Sequence, residues 1–212
     1  MDHPQLARLI EVMATLREAC PWDAQQTHES LAQYLIEETA ETIEAVETGN
    51  QDLLCEELGD LLLQVFFHAE IAAERDGGFT IEDIAAGTAD KLIARHPYVF
   101  ATDETPEDLH FSWEQRKAAE KGRMSVLDGI PDQLSSLARA NKIVSRVRSR
   151  RVSVDLPSDP IAEDDLGRQV LALVARAQAS GIDPDQAVRA AVRDLEAQVR
   201  VGEASRSGQP AG

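Results

Sequence analysis

Residues 35–64 read LIEETAETIEAVETGNQDLLCEELGDLLLQ. Two groups of carboxylates flank a short turn: Glu37, Glu38, Glu41 and Glu44 before it, Glu56, Glu57 and Asp60 after it. On helices, Glu38 and Glu41 share one face, and so do Glu57 and Asp60. Thr48-Gly49-Asn50 supplies a glycine to close the first helix and an asparagine to cap the second. An antiparallel hairpin then sets the two pairs opposite each other, near its apolar side. Four carboxylates meeting at low dielectric repel, so they must take up protons or bind cations. Oxygen donors without histidine or thiolate select a hard ion, Mg²⁺ or Mn²⁺.

A lone acidic pair at this spacing is ordinarily the solvated face of an amphipathic helix. Here the second pair lies in the largely apolar run LLCEELGDLLLQVFF, where a helix has little polar face to spare. Gly59, inside that run, costs about 1 kcal/mol relative to alanine and reads as room for a close neighbour.

At 212 residues the chain fits one domain, or one plus a fragment. Hydrophobic residues make up 43% of it and suffice for a core, while 4% aromatics and few β-branched runs favour helices. Asp60, Gln64, His68 and Glu70 interrupt the longest apolar stretch, which excludes a membrane span there. The first residues, MDHPQLARLI, lack the basic and apolar regions of a secretory signal. Cys20 and Cys55 form no disulfide framework and no metal spacing, so a cytoplasmic protein is expected. A net charge of −17 argues against duplex nucleic acid as a partner, though nucleotides can still be held through bridging cations.

Periodicity predicts helices over about 4–19, 30–48, 51–75, 80–96, 107–121 and 132–149. Ser30, ahead of Thr27, is the expected cap of the second. Asp76-Gly77-Gly78 breaks the third, Thr80 and Asp83 form a capping pattern for the fourth, and Pro97 ends it. Tyr98 to Pro106 reads as loop. The fold class is therefore all-α, an antiparallel four-helix-type bundle within residues 1–150. Residues 151–162 read as a linker, 163–180 and 184–201 as a helical pair, and 202–212 as a disordered tail.

The last third echoes the middle. Glu56-Glu57-Leu58-Gly59-Asp60-Leu61 matches Asp164-Asp165-Leu166-Gly167-Arg168-Gln169, with Arg168 where Asp60 stood. Lys91 and Arg95 likewise become Asp194 and Gln198. Residues 163–201 thus read as a degenerate second copy without metal-binding chemistry.

The segments CPWDAQQTHESL, LIEETAETIEA, CEELGDLLLQV, DKLIARHPYVF and WEQRKAAEK, in this order, resemble the MazG family of nucleoside triphosphate pyrophosphohydrolases across about residues 5–150. The resemblance implies an all-α fold with helices pairing across a homodimer, Mg²⁺ as cofactor, and the reaction NTP + H₂O → NMP + PPi. It implies Glu38, Glu41, Glu57 and Asp60 as catalytic metal ligands, the same four that helical spacing brings together. Lys91 and Arg95 would contact the triphosphate, and Trp113 and Lys117 the nucleotide. Trp22 and His28 are candidates to approach the base, and Glu37 is a candidate second-sphere group or base, though its helical position is about 100° from Glu38. Alternatives are a base-specific dUTP, dCTP or phosphoribosyl-ATP pyrophosphohydrolase, and a non-catalytic helical regulator. A di-iron bundle would want ExxH pairs, and neither cluster has one.

Overall fold

The computed structural model describes residues 3–101 and 104–207. The helices are α1 (Pro4–Ala19), α2 (His28–Thr48), α3 (Gln51–Ala73), α4 (Ile81–Arg95), α5 (Pro97–Phe100), α6 (Leu109–Glu120), α7 (Ser136–Ser149), α8 (Glu163–Ala179) and α9 (Pro184–Ser207), with a 3₁₀ turn at Asp23–Gln25 between the first two. No strand occurs among the described residues, so the chain is all-α. It forms two compact units, residues 1–94 and 95–212, that divide at the end of α4.

In the first unit the hairpin of α2 and α3 packs with α1. Its core is Met13, Leu31, Phe66, Phe67 and Ile71, flanked by Leu9, Ile10, Tyr34, Leu63 and Ile81. The turn chemistry follows from the residue types. Gly49 sits at φ +69°, a left-handed conformation that costs glycine nothing. The Asn50 side chain accepts from the amides of Asp52 and Leu53, both at 3.2 Å. Thr27 caps α2 through a reciprocal box: Thr27 Oγ1 accepts from the Ser30 amide, while Ser30 Oγ accepts from the Thr27 amide. The expected cap at Ser30 is thereby corrected, because Ser30 fills the third helical position. Thr80 and Asp83 form the predicted pair at the head of α4.

In the second unit α7 packs against α6 and α9, and α8 against α9. Val126, Ile130, Ile143, Val147, Val152, Val192 and Val199 share one core. Residues 151–162 carry no helix, yet Val152 is buried in that core. The last helix runs to Ser207 rather than ending near 201. Gly202 explains part of the extension, since a Cβ there would lie 2.6 Å from the Ser153 carbonyl oxygen. The helix can pass that backbone only as glycine. Residues 208–212 of the expected tail lie outside the described residues. The single turn α5 starts at Pro97 and runs into the stretch predicted as loop, 98–106.

Candidate metal centre and nucleotide-binding residues

Helix α2 ends and α3 begins within two residues, so the two acidic faces meet without a long connection to hold in place. One carboxylate oxygen from each of Glu38, Glu41 and Glu57 lies within 4.8 Å of the others. Glu57 is 8% exposed and Glu41 lies open to solvent. Asp60 falls outside this close group but repels both Glu38 and Glu57. Burial first, then the charges of Asp60, Glu41 and Glu57, pushes the Glu38 carboxyl above its ordinary value. Burial and then Glu41 and Asp60 push Glu57 the same way. Such a cluster favours either protonation or a bound cation. Its all-oxygen donor set fits a hard divalent ion.

Gly59 leaves no gap that another part of the chain fills: a Cβ there would meet nothing within 4 Å. The close neighbour expected of it is therefore not supplied by the described residues. Around it, Leu58, Leu62 and Val65 of α3 are exposed, as are Ile36, Ile43 and Val46 of α2.

Lys91 is half-buried on α4 and forms no ion pair with a described residue. In the second unit, Arg95 is 6% exposed and donates through Nε and Nη2 to the two carboxylate oxygens of Glu120, at 2.8 and 3.0 Å. Its guanidinium carbon stands 5.4 Å from the centre of the Trp113 ring, and the Lys117 ammonium 4.3 Å from it. Three of the four expected nucleotide-contacting residues thus gather around one indole. Burial, opposed by Glu114 and reinforced by Lys142, Arg123 and Arg95, pushes the Lys117 ammonium below its ordinary value. A desolvated lysine beside an aromatic face gains more from an anion than an exposed one.

The two base-approaching candidates have partners that sequence did not name. Trp22 is half exposed and edge-on to Tyr34 and Phe67, with centroids 6.1 and 6.2 Å away. His28 Nδ1 lies 2.8 Å from His68 Nδ1, with the rings 11° from parallel and their centroids 5.1 Å apart. Desolvation, then the neighbouring His28, lowers the His68 pKa. Glu120 and His68 are the missed residues. Only the acidic end of WEQRKAAEK hinted at the first, and nothing in the sequence pairs positions 28 and 68.

Such features define an all-α protein with a carboxylate cluster suited to a divalent cation. The profile of the MazG nucleotide pyrophosphohydrolase domain matches residues 26–100. A nucleoside triphosphate pyrophosphohydrolase/pyrophosphatase MazG from Thermotoga maritima is 39% identical over 207 residues, covering 87% of this chain and 80% of that protein. An uncharacterised 26.1 kDa protein from Streptomyces cacaoi is 41% identical over 203 residues, covering 94% of this chain and 83% of that one. A nucleoside triphosphate pyrophosphohydrolase from Mycobacterium tuberculosis is 38% identical over 201 residues, covering 94% of this chain and 58% of that protein. The chain belongs to the MazG family of nucleotide pyrophosphohydrolases. No helix among the described residues is long and apolar enough to cross a membrane.

Proposed function

We propose that this chain hydrolyses (deoxy)nucleoside triphosphates to the monophosphate and pyrophosphate, clearing unwanted nucleotides from the pool. The observation that carries the proposal is the meeting of Glu38, Glu41 and Glu57 within 4.8 Å on the α2–α3 hairpin of a MazG-family chain. Together with Asp60 they would hold Mg²⁺, with Mn²⁺ as a substitute. The bound ion would offset phosphate charge and lower the pKa of a water for attack at the α-phosphorus.

The chain's own residues have separable tasks in this proposal. Lys91 and Arg95 bind the triphosphate, and Trp113 and Lys117 bind the nucleotide. Glu120 fixes the Arg95 guanidinium in one orientation, so that residue meets its anion preorganised. Burial weakens the hold of Lys117 on its proton, and a phosphate beside it would strengthen that hold.

A homodimer is proposed as the working assembly. The exposed apolar side chains of α2 and α3 and the open space beside Gly59 support a second copy as the covering surface. Light scattering of the purified chain tests this, with a monomeric mass counting against it. The site of attack is tested with ¹⁸O-water. The label should enter the nucleoside monophosphate and not pyrophosphate; label in pyrophosphate would overturn attack at the α-phosphorus.

A further inference from the structure

Helices α2 and α3 meet through polar side chains at two levels. At one, oxygens of Glu38, Glu41 and Glu57 gather within 4.8 Å. At the other, His28 Nδ1 lies 2.8 Å from His68 Nδ1. Gln64 stands between these levels on α3, four residues after Asp60 and four before His68. Four residues of helix rise about 6 Å. Glu57, Asp60, Gln64 and His68 fall within an arc of about 80° around the helix axis, so one stripe of α3 carries all four. The exposed apolar row of Leu58, Leu62 and Val65 is a different side of the helix, about 100–160° from Gln64. Gln64 is 5% exposed, and its Oε1 is buried with no hydrogen-bond donor among the described residues.

Neither set of neighbours on the stripe supplies that donor. Ionised carboxylates only accept, and the two histidines direct Nδ1 at each other. An unmet buried acceptor costs about 1–3 kcal/mol, and no bond from Oε1 holds the carboxamide in place. Turning the side chain toward a ligand therefore loses no contact of that oxygen and gains one. Trp22 stands at the same end of the hairpin, half exposed and edge-on to Tyr34 of α2 and Phe67 of α3. Its open indole offers contact area to a planar ring.

We infer that Gln64 is a specificity-determining residue, whose carboxamide oxygen accepts a hydrogen bond from a donor on the nucleoside half of the nucleotide. The inference rests on the reading of the carboxylate cluster as the phosphate end of a nucleotide site. With the phosphates there, a nucleoside running along the stripe toward His28 and His68 passes Gln64 about 6 Å beyond Asp60. The donor is a sugar hydroxyl or an N–H group of the base. A site built to bond a substrate donor rejects the analogue that lacks it, because its own polar group is again left unpaired.

The test is calorimetric titration of the full chain, with Mg²⁺, using non-hydrolysable α,β-imido nucleoside triphosphates in pairs that differ by one donor. Ribose against 2′-deoxyribose and 2′-deoxyribose against 2′,3′-dideoxyribose probe the sugar; guanine against hypoxanthine and cytosine against uracil probe the base. Wild type should bind the donor-bearing member of at least one pair more tightly, by about fivefold or more. Gln64→Met keeps the approximate shape without the acceptor and should bring that ratio within twofold. The pair affected tells sugar from base. In EDTA, Gln64→Met should melt no lower than wild type, since it removes an unmet acceptor. A ratio that survives in Gln64→Met, or a wild type that discriminates within no pair, would overturn the inference. So would a fall of several degrees in the variant's melting temperature, because that assigns the oxygen a partner inside the fold. Binding is read apart from turnover: a chain that discriminates as expected yet releases no pyrophosphate overturns hydrolysis and leaves Gln64 its role.

Discussion

Glu57 experiences burial and four neighbouring negative charges acting in one direction. Its folded pKa, like that of Glu38, lies above the ordinary glutamate value of 4.5. The sign of the consequence is fixed by linkage. Between pH 4.5 and the raised folded values, the folded chain holds more protons than the unfolded one. The contribution of these groups to stability therefore falls as pH rises through that window, and the full repulsion remains above it. In EDTA, Glu57→Gln should melt a few degrees higher than wild type at pH 8 and at the same temperature near pH 4. A lower melting temperature at pH 8 would show that Glu57 makes a stabilising contact. Arg95 works the opposite way, because it is buried and ion-paired. Arg95→Met should cost about 1–2 kcal/mol, discounted because Glu120 is partly exposed, read as a melting shift of roughly 2–8 °C. Glu38, Glu41 and Glu57 were legible from spacing, since a helical hairpin with a two-residue turn leaves few other arrangements. The Arg95–Glu120 pair was not, because 25 residues and an intervening loop separate its members. No local pattern records such a contact.

The α2–α3 hairpin depends on two adjacent residues whose roles differ. Gly49→Ala forces a left-handed alanine and should cost about 1 kcal/mol. Asn50→Ala leaves the Asp52 and Leu53 amides without their acceptor and should cost a similar ~1 kcal/mol. Chemical denaturation of the two variants measures both, and an unchanged midpoint in either would contradict the assigned cap. These ends were legible because glycine and asparagine carry their conformational preferences in their own chemistry. The end of α9 was not. Gly202 and the residues after it look like a polar tail, and only the approach of Ser153 from a distant segment reveals why helix continues there. The choice between Thr27 and Ser30 failed for a related reason: both hydroxyls take part in the same reciprocal box.

At the scale of the molecule, the all-α class followed from periodicity and from the scarcity of β-branched runs. The compact units did not follow from composition. They divide at Ala94 and Arg95, in the last turn of α4, where Pro97 marks the end of a helix but nothing in the composition marks the end of a unit. The 151–162 stretch has the composition of a linker, yet it contributes Val152 to the core of the second unit. A cation held by the carboxylate cluster binds only the folded chain and so adds to its stability. Mg²⁺ at 100 times its dissociation constant should add about 2.7 kcal/mol, and this gain should vanish in Glu57→Gln. An equal gain in the variant would place the ion elsewhere.

Pyrophosphate release by the full chain from a panel of canonical and oxidised (d)NTPs tests the central claim most directly, run with Mg²⁺, with EDTA and with Glu57→Gln. The account predicts equal amounts of pyrophosphate and nucleoside monophosphate with Mg²⁺, none with EDTA, and a loss of at least ~100-fold in the still-helical variant. Turnover that survives EDTA or the substitution, or no release from any nucleotide while Mg²⁺ still binds, would contradict it.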